Sequence, residues 1–274
     1  MTKKNCSIHV DRIQLEGSPL LVRSCGEGLP ILLLHAGVAD SRMWGRQMED
    51  LGSSFQLVAP DLRGYGASPV PDGRFSYHED VNYLLDYFGI ERTWIVGNSF
   101  GARVAVDFCL VYPEKTAGLV LVSPVLGGFE PDEAVKAFNK EEDKLLEKGD
   151  LHGATELNMR MWLAGPYRKK SDIDASLWSQ LALMQYEAFK VPEPAGAEFV
   201  RVNFTATERL GEISEPVLVL QGDRDVPAVI EHATFVAERI PEARIELVSG
   251  VGHMLSLEDP VNFNSIVHEY LLDS

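Results

Sequence analysis

Trp94-Ile95-Val96-Gly97-Asn98-Ser99-Phe100-Gly101-Ala102 decides the reading of this chain. Three apolar residues lead into the first glycine as a strand would, and a helix-like run follows the second. A serine between glycines at a sharp strand-to-helix turn takes strained backbone angles that push its hydroxyl out of the sheet. Ser99 is therefore a candidate nucleophile. Gly101, Ala102 and Ala105 are small enough to let the new helix lie close against the strands. Five residues are a weak signal by themselves, expected by chance in roughly one chain in ten of this size, and an ordinary turn serine fits them as well. Its partners elsewhere in the chain carry the case.

Outward from this turn, short aliphatic and β-branched runs recur at residues 31–34, 56–59, 93–96, 119–122, 217–220 and 245–248, most of them separated by helical patterns. Continuous apolar strands alternating with helices predict an α/β fold with a mostly parallel central sheet covered on both faces. Residues 7–15 and 20–24 read as an antiparallel hairpin at one edge, turning at Glu16-Gly17-Ser18. A helix is expected after Ser76: Ser76 and Glu79 have capping-box spacing, Val81, Leu84, Leu85 and Phe88 form one stripe, and Gly89 stops it.

The alternation breaks for about ninety residues between Ser123 and Pro216, far beyond ordinary loop lengths. Residues 132–190 look helical, charged around 136–148 and then richer in Met159, Met161, Trp162, Leu163, Trp178, Leu181, Leu183 and Met184. This stretch reads as a helical cap inserted after the sixth strand, spanning residues 128–211 on a core of 1–127 and 212–274. Large apolar residues at helical spacing are more often packing than ligand contacts. Trp162 and Met159 are the two expected to line a pocket. Trp44 is expected to be a packing residue.

With 274 residues and 45% hydrophobic content, the chain can bury one large core. Forty-one acidic against twenty-five basic residues leave a formal charge of −16, which repels phosphate backbones and anionic membranes. Neither nucleic acid nor membrane is expected as a partner. Met1-Thr2-Lys3-Lys4-Asn5-Cys6 lacks the apolar run of a signal peptide, and no stretch approaches the length of a membrane span, so a cytoplasmic location is expected. Cys6, Cys25 and Cys109 are odd in number and far apart in sequence, a pattern of reduced thiols rather than disulfides or zinc. Oligomeric state stays open.

Ligands of open parallel sheets bind beyond the carboxyl ends of the strands. At those ends stand His35-Ala36-Gly37, Asp61-Leu62-Arg63-Gly64-Tyr65-Gly66, Ser99, Gly222-Asp223-Arg224-Asp225 and Gly250-Val251-Gly252-His253. A serine hydroxyl needs a base within hydrogen-bond reach, itself oriented by a carboxylate. The chain supplies serine, acid and histidine in that order, with Asp223 and Asp225 competing for the acid. His35 reads as a loop anchor, and Asp61 and Arg63 as an ion pair or turn anchors.

Over nearly its whole length the chain resembles the α/β-hydrolase-fold serine hydrolases, through Gly-x-Ser-x-Gly, Asp-x-Arg-Gly-x-Gly-x-Ser at residues 61–68, Gly-x-x-Asp at 222–225 and a late Gly-His. That resemblance implies Ser99 as nucleophile, His253 as base, Asp225 as orienting acid, and the backbone N–H groups of Gly37 and Phe100 as oxyanion hole. Ala36 departs from the commoner His-Gly pair. The resemblance implies a cofactor-independent hydrolase of a small carboxylic ester or lactone, similar to small carboxylesterases and enol-lactonases. Hydrolysis of a carbon–carbon bond in a ring-cleavage product and perhydrolysis are same-fold alternatives. A slow-turnover ligand sensor that keeps the triad is the alternative of another class. No phosphate loop, dinucleotide fingerprint or His-Glu-x-x-His pair occurs, so no cofactor and no metal are expected.

Overall fold

The apolar runs become strands. In the computed structural model, which describes residues 6–273, these are β1 (His9–Gln14), β2 (Pro19–Cys25), β3 (Leu29–Leu34), β4 (Phe55–Pro60), β5 (Arg74–Phe75), β6 (Thr93–Asn98), β7 (Thr116–Val122), β8 (Glu198–Phe199), β9 (Val217–Gly222) and β10 (Arg244–Val248). Met1–Asn5, on which part of the targeting expectation rests, lie outside the described residues. Eight strands form one sheet in the order β1-β2-β4-β3-β6-β7-β9-β10. The β1/β2 hairpin and the β2/β4 pair are antiparallel, and the other pairs of this sheet are parallel.

Period-two alternation sorts the core between the two faces. Ile31 and Leu33 of β3 pack with Val96, Val120 and Leu220 on one face, whereas Leu32 and Leu34 pack with Ile95, Leu121 and Val219 on the other. The first face is covered by α1 (Gly45–Leu51), which carries Met48, and the second by α2 (Tyr77–Tyr87) and α3 (Phe100–Val111). Trp44 is fully buried with its ring centroid 6.2 Å from Phe263, a packing residue as expected. The chain is thus an α/β fold with a mostly parallel sheet and helices around it.

Two local expectations need correction. Ser76 does precede α2, but its side chain makes no cap hydrogen bond; Glu79 instead accepts from the Tyr112 hydroxyl at 2.8 Å. Residues 245–248 are not a buried run, because β10 is an edge strand whose Ile245 and Leu247 are exposed. The three cysteines are free thiols, as expected; Cys6 and Cys25 are neighbours in space, and burial, with Cys6 beside it, pushes the Cys25 thiol up to about 12.

Between β7 and β9 the chain leaves the large sheet. It forms α4 (Glu133–Glu147), α5 (Leu151–Asn158), a π-helical turn (Met159–Ala164), α6 (Ala175–Ala188) and α7 (Ala206–Arg209) before α8 (Pro227–Arg239), α9 (Leu255–Glu258) and α10 (Pro260–Asp273) complete the fold. Aspartates start three of the inserted helices: Asp132, Asp150 and Asp174 accept from the N–H groups of Val135, Gly153 and Leu177. The stretch between β7 and β9 is tied back to the rest of the fold at several points. Phe199 of β8 pairs with Phe75 of β5, and Arg42 bridges Asp40 and Glu187.

One buried carboxyl works against this fold. Asp107 of α3 is pushed up to about 6 by burial, only partly offset by Arg103 at 3.9 Å. A raised carboxyl favours the folded state fully below its unfolded pKa, and that contribution is lost as pH rises through the folded value. Asp107→Asn is therefore expected to raise the melting temperature at pH 8, by an amount corresponding to at most about 3 kcal/mol, with the gain gone near pH 4. Thermal melts across that range check it; a loss at pH 8 would contradict the assignment.

Candidate active site

Ser99 sits at φ +52°, ψ −106°, between the end of β6 and the first turn of α3. That conformation is costly for a residue with a Cβ and persists where packing over-determines it. The two glycines of the turn show the crowding. A Cβ on Gly101 would lie 2.2 Å from the Leu34 carbonyl oxygen, and one on Gly97 would lie 2.5 Å from that of Gly101. Neither position accepts a side chain, so the motif is dictated by the approach of α3 to β3 and β6.

At the end of β9, Asp225 is almost fully buried. Its Oδ2 accepts from His253 Nδ1 at 2.9 Å and from Gln221 Nε2 at 2.9 Å, and Oδ1 accepts from the Val226 N–H at 2.7 Å. Burial alone would raise this carboxyl; the charge and hydrogen bond of the His253 ring, Gln221 and Val226 outweigh it and hold it below the usual carboxylate range. Asp223 is half-exposed and faces away, accepting from Ser249 Oγ and the Gly250 N–H. Of the two candidate acids, Asp225 touches the histidine.

With Nδ1 engaged, His253 keeps Nε2 for other chemistry, and its ring lines one cavity of about 390 Å³ together with Ser99, Gly37 and Trp162. Among the described hydrogen bonds none yet joins Ser99 Oγ to Nε2; such contacts often tighten only when substrate arrives. Phe100 N–H, first of its helix, has no intrahelical acceptor. Gly37 lies on a neighbouring loop, where a Cβ built on it would lie 3.5 Å from Phe100 Cβ. Of the two expected oxyanion donors, Gly37 lines the cavity beside Ser99, whereas Phe100 is not among its lining residues.

His35 anchors that loop. Fully buried, it donates from Nδ1 to the Ala36 carbonyl at 2.8 Å and accepts at Nε2 from the Leu62 N–H at 2.9 Å, and burial pushes its pKa down. Asp61 and Arg63 are turn anchors but not a pair. Asp61 accepts from the N–H groups of Ser41 and Ala67, whereas Arg63 forms a bidentate bridge to Asp80 at 2.7 and 2.9 Å.

Trp162 lines the cavity from the π-helical turn, its ring 5.0 Å from that of His253. π-helical turns are rare and cluster at functional sites. Met159, expected beside it, is fully buried in the core behind the wall and does not reach the cavity. Sequence reasoning also missed the residues that hold the histidine. Asn98 Nδ2 donates to the Val122 and His253 carbonyls at 3.4 and 3.3 Å. Glu258 accepts from the Gly252 and Met254 N–H groups and from Arg168 of the insertion. A carboxylate five residues after a Gly-His turn was the available signal.

No helix of the described residues is long and apolar enough to cross a membrane, and no group of three or more His, Cys, Asp or Glu among them could hold a metal. The pattern of the α/β hydrolase fold family matches residues 30–260. An uncharacterized protein of Mycobacterium tuberculosis is 29% identical over 270 residues, 91% of this chain and 77% of that protein. The 2-hydroxymuconate semialdehyde hydrolase of Pseudomonas sp. strain CF600 is 25% identical, covering 91% of this chain and 89% of its own. A thermophilic esterase from Thermogutta terrifontis superposes with a TM-score of 0.77 at 24% identity, over 98% of this chain and 99% of that one. A family match over most of the sequence, on an eight-stranded mostly parallel sheet with helices around it, means that this chain belongs to the α/β hydrolase fold family.

Proposed function

We propose that this hydrolase is a serine hydrolase that cleaves a carboxylic ester or lactone through an acyl-enzyme. Ser99 Oγ attacks the carbonyl carbon while His253 Nε2 takes its proton, and the Gly37 and Phe100 N–H groups receive the charge that develops on the carbonyl oxygen. The carbon–oxygen bond to the leaving group breaks, and that alkoxide leaves with the proton from Nε2. A water molecule, deprotonated in turn by His253, then attacks the acyl carbon and returns Ser99 to its hydroxyl. The balance is ester plus water giving acid plus alcohol. Asp225 holds Nδ1–H and stabilises the imidazolium.

The observation that carries this reading is the 2.9 Å contact of Asp225 Oδ2 with His253 Nδ1 at a cavity that also holds Ser99 at positive φ. We assign residues 128–211 the role of a cap on a core of 1–127 and 212–274. Small-molecule esters are the expected partners.

A fluorophosphonate tests the reading directly, because a serine reacts with it readily when a base stands beside it. Ser99 should be labelled, with loss of hydrolysis of short nitrophenyl esters in step with labelling. Label on a different serine peptide, or full activity after labelling, would refute it.

A further inference from the structure

The wall that the inserted helices give to the cavity has an electrostatic character of its own. Glu142 of α4, Asn158 of α5 and Gln185 of α6 line it, facing the side that carries Ser99 and Gly37. Asn158 Nδ2 donates to the Glu142 carboxylate and to the Ala154 carbonyl, so both of its protons are committed. Gln185 is 5% exposed, and its Oε1 is buried without a hydrogen-bond partner. Buried acceptors left unpaired are costly, and a site that leaves one open is completed by a ligand that donates to it.

Charge points the same way. No lysine or arginine is among the described residues lining the cavity, and Glu142 is the one carboxylate there. Its field reaches across to Tyr65, whose hydroxyl burial and Glu142 together push up to about 12. The arginines that brace the walls from behind are spent: Arg42 on Asp40 and Glu187, Arg168 on Glu258 and the carbonyls of Leu163 and Ala164. Burial raises the Glu142 carboxyl, and the Asn158 amide opposes this by favouring the carboxylate.

We propose that Glu142 and Gln185 select acyl groups whose distal end is neutral or cationic and donates a hydrogen bond, and reject acyl groups that end in a carboxylate. This rests on the serine hydrolase reading.

The test is a set of nitrophenyl esters of six-carbon acyl groups at pH 8: hexanoate, adipate monoester, adipamate and 6-aminohexanoate. The adipate monoester should show kcat/KM at least about tenfold below hexanoate, and adipamate and 6-aminohexanoate should equal or exceed hexanoate. Glu142→Gln should bring adipate to within about threefold of hexanoate, Glu142→Lys should invert their order, and Gln185→Leu should remove any advantage of adipamate. Repeating the set at 0.5 M salt screens the general repulsion of a chain of net charge −16. Adipate hydrolysed as well as hexanoate, or a ratio that the Glu142 variants do not move, overturns the selection rule while leaving the hydrolase intact. Failure to turn over any of the four esters overturns the hydrolase reading, and the selection rule with it.

Discussion

Ser99→Ala is expected to lower kcat for nitrophenyl ester hydrolysis by on the order of a million-fold while barely moving the melting temperature. The size follows from removing the attacking atom: what is left is water attack helped by the oxyanion donors, and a factor of a million corresponds to about 8 kcal/mol of barrier. The indifference of stability follows from the structure. No described hydrogen bond uses the Ser99 hydroxyl, and Ala inherits the same strained backbone at φ +52°. Ser99→Gly sharpens the test, because glycine occupies positive φ without cost. It should be as inactive as the alanine variant yet more stable, by up to about 1 kcal/mol. Retention of a tenth of wild-type activity by either variant removes Ser99 from the chemistry. A large drop in melting temperature in both would recast the turn as structural.

The fold was legible because period and punctuation survive in a single sequence. Runs of four residues could be placed as strands, buried in all but the edge strand β10, and five of the six strands of the parallel set, all but β7, run into the polar turns at 35–37, 61–66, 99, 222–225 and 250–253. The candidate reactive groups stand out for the same reason: their positions at strand ends constrain the chain to particular glycines, and those glycines are visible. Gly97 and Gly101 are obligatory because backbone oxygens lie 2.5 Å or less from where a Cβ would be.

What stayed hidden depends on tertiary contacts without local pattern. Gln221 is one strand residue among several, yet its amide holds Asp225; Asn98 stands at an unspecified position of the Gly-x-Ser-x-Gly motif, yet it ties the elbow to the His253 carbonyl. The helical stretch between β7 and β9 was harder still. Met159 and Trp162 are three residues apart, which a regular helix would place nearly on one face. The chain winds there as a π-helical turn, and Trp162 meets His253 while Met159 is buried behind it. Truncation of Trp162 therefore bears on the base as well as on acyl preference. Glu142, Asn158 and Gln185 lie on three separate helices, and nothing in their spacing announces that they share a wall.

The choice between two neighbouring acids gives the second large effect. Asp225→Asn should cost about four orders of magnitude in kcat/KM, as in other Ser-His-Asp sites, whereas Asp223→Asn should cost less than about tenfold, since its carboxylate meets Ser249, Gly250 and Arg224 and not the histidine. The difference is set by donors. Asp225 receives three of them, His253 Nδ1, Gln221 Nε2 and the Val226 N–H, and both oxygens are used. An asparagine has one oxygen. If that oxygen faces Nδ1, the new NH2 points at the Val226 N–H, and donor meets donor. Turned over, the NH2 donates to Nδ1, which forces the proton onto Nε2 and leaves no lone pair to accept the Ser99 proton. Either way the base is misplaced or in the wrong tautomer. The pH profile separates this from simple misfolding: Asp223→Asn should keep the wild-type kcat/KM profile, plateau included. A folded Asp225→Asn variant should lose the plateau height at every pH. Equal losses for both aspartates, or the larger loss at Asp223, would transfer the orienting role to the other carboxylate.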